Sequence, residues 1–108
     1  MVKPIRLDLL IHTVEVETYS EPDTWGNTYE EKKTIEKVRV EPRRNLVTTK
    51  DNRQVTSNAI LFHDATFSTP CDFELESKVI FNGQEMKIVS IQPFYDNQRL
   101  HHTEVGLI

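Results

Sequence analysis

The chain has 108 residues, 37% of them apolar and 28% charged, with a net charge of −4. That length fits a single domain, 1–108, with a modest core, and the composition is globular rather than disordered. No apolar run reaches the ~20 residues of a bilayer-crossing helix, no signal-peptide pattern is present, and the acidic balance disfavours nucleic-acid binding by the surface as a whole.

Residues 9–17 predict the first strand, with Leu10, His12, Val14 and Val16 on one face. His12 on that apolar face reads as a neutral imidazole with one backbone partner rather than as a ligand. Glu15 and Glu17 share the other face, where a solvated strand surface explains them better than a catalytic carboxylate pair. Residues 19–26 hold Ser20, Pro22, Asp23 and Gly26 and read as a loop, with Trp25 its one large apolar side chain. A long charged strand over residues 28–40, ending at Pro42, is preferred to a helix through 30–38 because Thr34-Ile35 and Val38-Arg39-Val40 favour extended backbone.

Residues 43–57 are rich in Asn, Thr and charge, without a period, and predict a long inserted loop. Arg43, Arg44, Lys50 and Arg53 stand there against Asp51 alone, so this loop carries +3 while residues 1–42 carry −3 and residues 58–108 carry −4. Four cations on such a segment can touch phosphates without reading sequence, although no aromatic side chain in it offers a stacking platform. The competing reading is a solvated surface turn.

Residues 59–64, apolar on both faces, predict a central strand, and 65–72 a polar connection. Val79 to Ile88 then gives the strongest local signal in the chain. Asn82-Gly83 between alternating runs calls for a two-residue hairpin turn, which puts Val79, Phe81, Met86 and Ile88 on one face. The apolar positions then switch parity to Val89 and Ile91, so the strand must bend or bulge there. Pro93 to Asn97 predicts a turn, and residues 100–107 the last strand. About six short antiparallel strands with one long inserted loop make an all-β barrel or sandwich.

Reactive constellations are scarce. Three glycines form no phosphate-cradling loop. His101 and His102 are neighbours on a strand, which directs them to opposite faces and away from a shared metal ion. Cys71, the single cysteine, excludes an internal disulfide and any CxxC site, and beside Pro70 and Asp72 it reads as an ordinary thiol. An intracellular, reducing setting fits that cysteine usage. No cofactor and no enzymatic activity are expected.

Taken in order, Leu10-Ile11-His12, Trp25-Gly26-Asn27-Thr28-Tyr29, Val38-Arg39-Val40-Glu41-Pro42, Asn58-Ala59-Ile60-Leu61-Phe62-His63-Asp64, Ser68-Thr69-Pro70, Val79-Ile80-Phe81-Asn82-Gly83 and His101-His102-Thr103-Glu104-Val105-Gly106-Leu107 resemble a phage minor capsid protein family. Members belong to the head-to-tail connector of tailed bacteriophages, and the similarity covers almost the whole chain. The resemblance implies a head-completion, stopper-type protein: a small β-barrel that docks as a ring beneath the portal or adaptor, meets a tail-completion protein and sits at the head-tail junction of the virion. It also implies that a loop from each subunit reaches into the channel and helps retain DNA, with residues 43–57 the candidate here. Trp25 and Tyr29 are the candidate interface residues; for Trp25 the alternative is a side chain folded back to cap the barrel. The runner-up function is a small barrel that binds nucleic acid, for which the net charge and the lack of clustered exposed aromatics are unfavourable.

Overall fold

A computed structural model describes residues 4–20, 26, 28–48 and 51–108. After a short 3-10 turn at Leu7–Leu9, six strands follow: β1 His12–Glu17, β2 Lys33–Thr48, β3 Gln54–Asp64, β4 Lys78–Phe81, β5 Gln84–Asp96 and β6 Arg99–Leu107. Every pairing is antiparallel, and the order β1-β2-β3-β6-β5-β4 closes into a barrel. Closure removes the free edges that an open sheet of this size would expose. The interior is filled by alternate residues of each strand, among them Val14, Val16, Ile35, Val38, Leu61, Val79, Ile88, Val105 and Leu107.

The Asn-Gly hairpin forms as expected. Phe81 pairs with Gln84 and Val79 with Met86, and Asn82 and Gly83 both take positive φ, 52° and 79°. A β-branched residue at 83 must adopt left-handed backbone, so Gly83→Val should lower stability by about 1–2 kcal/mol. Thermal unfolding checks this, and an unchanged melting temperature would contradict the turn's importance.

The parity switch in β5 also has its structural counterpart. Ile88 pairs with Leu107 but Ser90 with Gly106, so Val89 is an extra residue in the ladder. The bulge returns Ile91 to the core side, where it packs against the interior cluster. A second bulge lies in β2, where His12 pairs with Val38 but Val14 with Ile35. Lys37 there has φ 60° and is held from outside: Ser68 Oγ donates to the Lys37 carbonyl, and Glu36 N donates to Thr69 Oγ1 at 2.9 Å.

Two segments differ from the sequence expectation. Residues 43–57 are not a structureless loop. β2 runs through Pro42 to Thr48, and β3 begins at Gln54, so most of the insertion is a two-stranded ribbon with Asn45 opposite Ser57 and Thr48 opposite Gln54. Pro42 is tolerated because β1 pairs with β2 only as far as Val38, leaving that side of the strand without a ladder to break. Likewise Pro93 does not start a turn. It pairs with Thr103 on a stretch of β5 beyond the reach of β4, and the turn falls at Asn97-Gln98.

Antiparallel order sends these two long hairpins out of the barrel at opposite ends. The β2–β3 ribbon leaves beside the Asn82-Gly83 turn, whereas the β5–β6 hairpin leaves beside the β1–β2 and β3–β4 connections. Because β3 and β4 are not neighbours, residues 65–77 cross that second end. Cys71, Phe73 and Leu75 pack inward from the crossing and close the barrel.

Candidate functional site

The basic ribbon starts at a bulge. Pro42 opposes Ala59 and Asn45 opposes Ser57, so one residue of the Arg43-Arg44 pair is supernumerary and the strand bends there. The bend places Leu46 and Thr48 across from Ile60, Ser90, Gln92 and Glu104, with a groove of about 310 Å³ between ribbon and barrel wall. Gly106 forms part of the groove floor, where a Cβ would lie 2.3 Å from Ser90 Oγ. A larger residue there would require the Ser90 hydroxyl to turn aside.

The sequence-predicted cations are spread along the ribbon rather than gathered at one point. Arg43 stands at its base, where its Nη2 donates to Glu41 Oε2 at 2.9 Å and its guanidinium lies 5.8 Å from the Phe62 ring centre. Glu41 also accepts from Arg39 Nε at 2.8 Å, and these hydrogen bonds, that from Arg39 first, hold its carboxyl below the usual carboxylate range. Residues 39, 41 and 43 thus form a charge ladder on the outer face of β2. Arg53, at the tip, pairs with Asp51 at 3.1 Å. Arg44 is exposed and has no ion-pair partner among the described residues. Lys50 lies outside the described residues, as does Trp25. Glu41, just outside residues 43–57, therefore offsets part of the +3, in which Asp51 is already counted.

Tyr29 is half-buried and engaged within its own chain. It bridges to Tyr19, whose ring meets it edge-on at 5.8 Å, and Lys78 Nζ lies 4.3 Å from its ring centre. The three groups together pin the return of the β1–β2 connection to the barrel.

His12 behaves as its strand face implied. Its Nδ1 accepts from the Val40 backbone N–H at 2.9 Å, its ring meets Phe81 edge-on at 4.7 Å, and burial, then the Arg39 charge, push its pKa down. A ring nitrogen that accepts from backbone is unprotonated, so the imidazole is neutral and structural. The Cys71 thiol is half-buried and raised in pKa by burial, the environment of an unreactive sulfur. Glu15 lies 4.0 Å from Lys32 on the wet outer surface.

The histidine pair overturns the opposite-faces expectation. Phe94 pairs with His102 but Tyr95 with Leu100, so His101 is an extra residue in β6. Such a bulge brings consecutive side chains together, and the two Nδ1 atoms come within 2.7 Å, one donating to the other. His102 Nε2 then reaches Glu104 Oε2 at 3.0 Å, and Phe94 stacks on the ring at 4.8 Å with 7° between planes. Among the described residues no group of three His, Cys, Asp or Glu side chains is placed to hold a metal ion. The cluster braces the β5–β6 hairpin where it leaves the barrel.

Asp64, silent in the sequence reading, is fully buried and accepts three backbone N–H groups: Ile5 at 2.9 Å, Thr66 at 2.8 Å and Phe67 at 2.9 Å. A carboxylate caught by the amides two and three residues on is an Asx-type turn, for which Asp64-Ala65-Thr66 was the available signal.

The site therefore consists of a small closed barrel and a cationic ribbon turned out of its wall, with no metal-binding cluster among the described residues. The family model described as minor capsid protein matches residues 4–107. The chain belongs to the minor capsid protein family. Among curated proteins none matches it. A phage minor capsid protein is a structural component of the virus particle and contacts other virion proteins, which suits a barrel whose distinctive features are protruding hairpins. Among the described residues no helix is long and apolar enough to cross a membrane.

Proposed function

We propose that this minor capsid protein acts in the head-to-tail connector as a head-completion, stopper-type protein, joining the portal or its adaptor to the tail and helping retain packaged DNA. The observation that carries the reading is the β2–β3 ribbon, a segment outside the barrel ladder that concentrates Arg43, Arg44, Lys50 and Arg53 on an otherwise acidic chain. Arranged in a ring, copies of the barrel bring one such ribbon each toward a shared channel, where guanidinium groups meet phosphates without regard to sequence. Pre-pairing with Glu41 and Asp51 tempers the attraction, as suits a contact that must release DNA at ejection.

Charge reversal at Arg44 and Arg53 tests this. Both side chains are exposed, so Arg44→Glu with Arg53→Glu should leave the melting temperature of the barrel within a few degrees. Heads assembled with the variant should package DNA and then lose it, measured as nuclease-sensitive DNA released from purified particles. Retention equal to that of the wild type would overturn the role of the ribbon.

A further inference from the structure

The titratable pair His101 and His102 has no part in the proposed function, yet its geometry is restrictive. The two Nδ1 atoms lie 2.7 Å apart, so one must carry a hydrogen and the other must offer a lone pair. The partner of His102 Nε2 decides which. Glu104 Oε2 lies 3.0 Å from that nitrogen, and an ionised carboxylate only accepts, so Nε2 carries a hydrogen. In the neutral ring this leaves His102 Nδ1 as the acceptor and makes His101 the donor.

One added proton fits this arrangement. A His101 imidazolium still donates from Nδ1, and Glu104 sets a negative charge beside the pair. A second added proton does not fit. With both rings cationic, two N–H groups face each other across 2.7 Å, and the ring centres stand 5.0 Å apart. The surrounding charges give little relief. On β2, Glu41 is held between Arg39 and Arg43, which line with it the hollow that His102 borders. On β3, buried Asp64 is engaged by the amides of Ile5, Thr66 and Phe67. In the N-terminal segment Arg6 pairs with Asp8, and along the hairpin itself Asp96 stands opposite Arg99.

The pair sits where the β5–β6 hairpin is fastened to the barrel. His101 is the extra residue of β6, its carbonyl accepts from Ala65 N at 3.1 Å, and the His102 ring carries the Phe94 stack. We infer that His101 and His102 form an acid-released latch, which holds the hairpin to the barrel end until both rings are charged. The open form binds one proton more than the closed form, so closure is favoured at higher pH and acid drives opening. The latch is independent of any contact between the ribbon and DNA.

Histidine-ring NMR and amide hydrogen exchange on the purified chain test this from about pH 8 to about pH 5, where histidines titrate and most carboxylates stay ionised. At the upper end, a scalar coupling between the two Nδ1 nuclei should report their hydrogen bond. On acidification the coupling should vanish. In step with it, the opening constant for the amides of residues 94–96 and 99–102, corrected for intrinsic exchange, should rise about tenfold per pH unit. The amides of Leu61 and Val105, in the barrel, should show no such rise. His101→Phe keeps a planar ring that cannot be charged, so the hairpin should lose its pH dependence. No coupling at pH 8, constant opening across the range, a rise shared with Leu61 and Val105, or a rise that persists in His101→Phe would each overturn the latch. The wild-type measurements decide it even where the variant fails to fold.

Discussion

Replacing Asp64 with alanine should lower the unfolding free energy by about 3–5 kcal/mol, among the largest single-residue effects in this chain. The carboxylate is fully buried and satisfies the backbone N–H groups of Ile5, Thr66 and Phe67. Removing it strands three part-buried donors at once and leaves a hole where the buried carboxylate stood, and an unmade buried hydrogen bond costs more than a made one contributes. The same turn places Ser68, whose hydroxyl donates to the Lys37 carbonyl and accepts from Asp64 N, so the β2 bulge loosens with it. Asp64→Asn keeps the shape but turns an amide N–H₂ toward at least one donor, and should cost about 2 kcal/mol. Urea denaturation of the purified barrel measures both. A loss below about 1 kcal/mol for Asp64→Ala would show that the N-terminal segment and the 65–68 turn are held by something else.

The second large effect separates barrel from ribbon. Leu61 is fully buried in the interior cluster, and Leu61→Ala should cost about 2–5 kcal/mol through lost burial and the cavity left behind. Leu46, equally large but 62% exposed on the ribbon, should cost no more than about 0.5 kcal/mol when cut to alanine. That contrast is expected if the fold is complete without the ribbon, leaving its sequence free to serve a partner. Equal losses at the two positions would mean that the ribbon is part of the core.

The residues that could be read in advance were those whose neighbours along the chain determine their state. Asn82-Gly83 dictates its turn because few other dipeptides adopt positive φ twice in succession. The Val89 bulge was readable because Ile88 and Ile91 both had to reach the core and cannot do so in regular alternation. The ribbon over residues 43–57 left no such trace. Strands with Arg43, Arg44, Leu46, Thr48, Gln54 and Thr56 exposed need no apolar period, and their mutual ladder is invisible along one chain. Pro93 misled for a related reason, since proline excludes only a strand that is paired on both sides. The His101–His102 contact depends on a bulge set by the register of β5 against β6, and the Asp64 cluster adds to its local turn at Thr66 and Phe67 the amide of Ile5, 59 residues away along the chain.

Polarity emerges from the topology rather than from composition. The net charge of −4 conceals a cationic hairpin leaving one end of the barrel and acidic crossings with an apolar hairpin at the other. A component of the virus particle gains orientation at its contacts from such a separation of charge. Mis-docked copies would set like charges against each other.

The position of the ribbon can be seen by electron cryo-microscopy of the head-tail junction in purified virions. Barrel density at the junction, with the β2–β3 ribbon turned to the DNA-bearing channel, is the expected result. Ribbons pointing outward to solvent, or barrels located away from the junction, would contradict it.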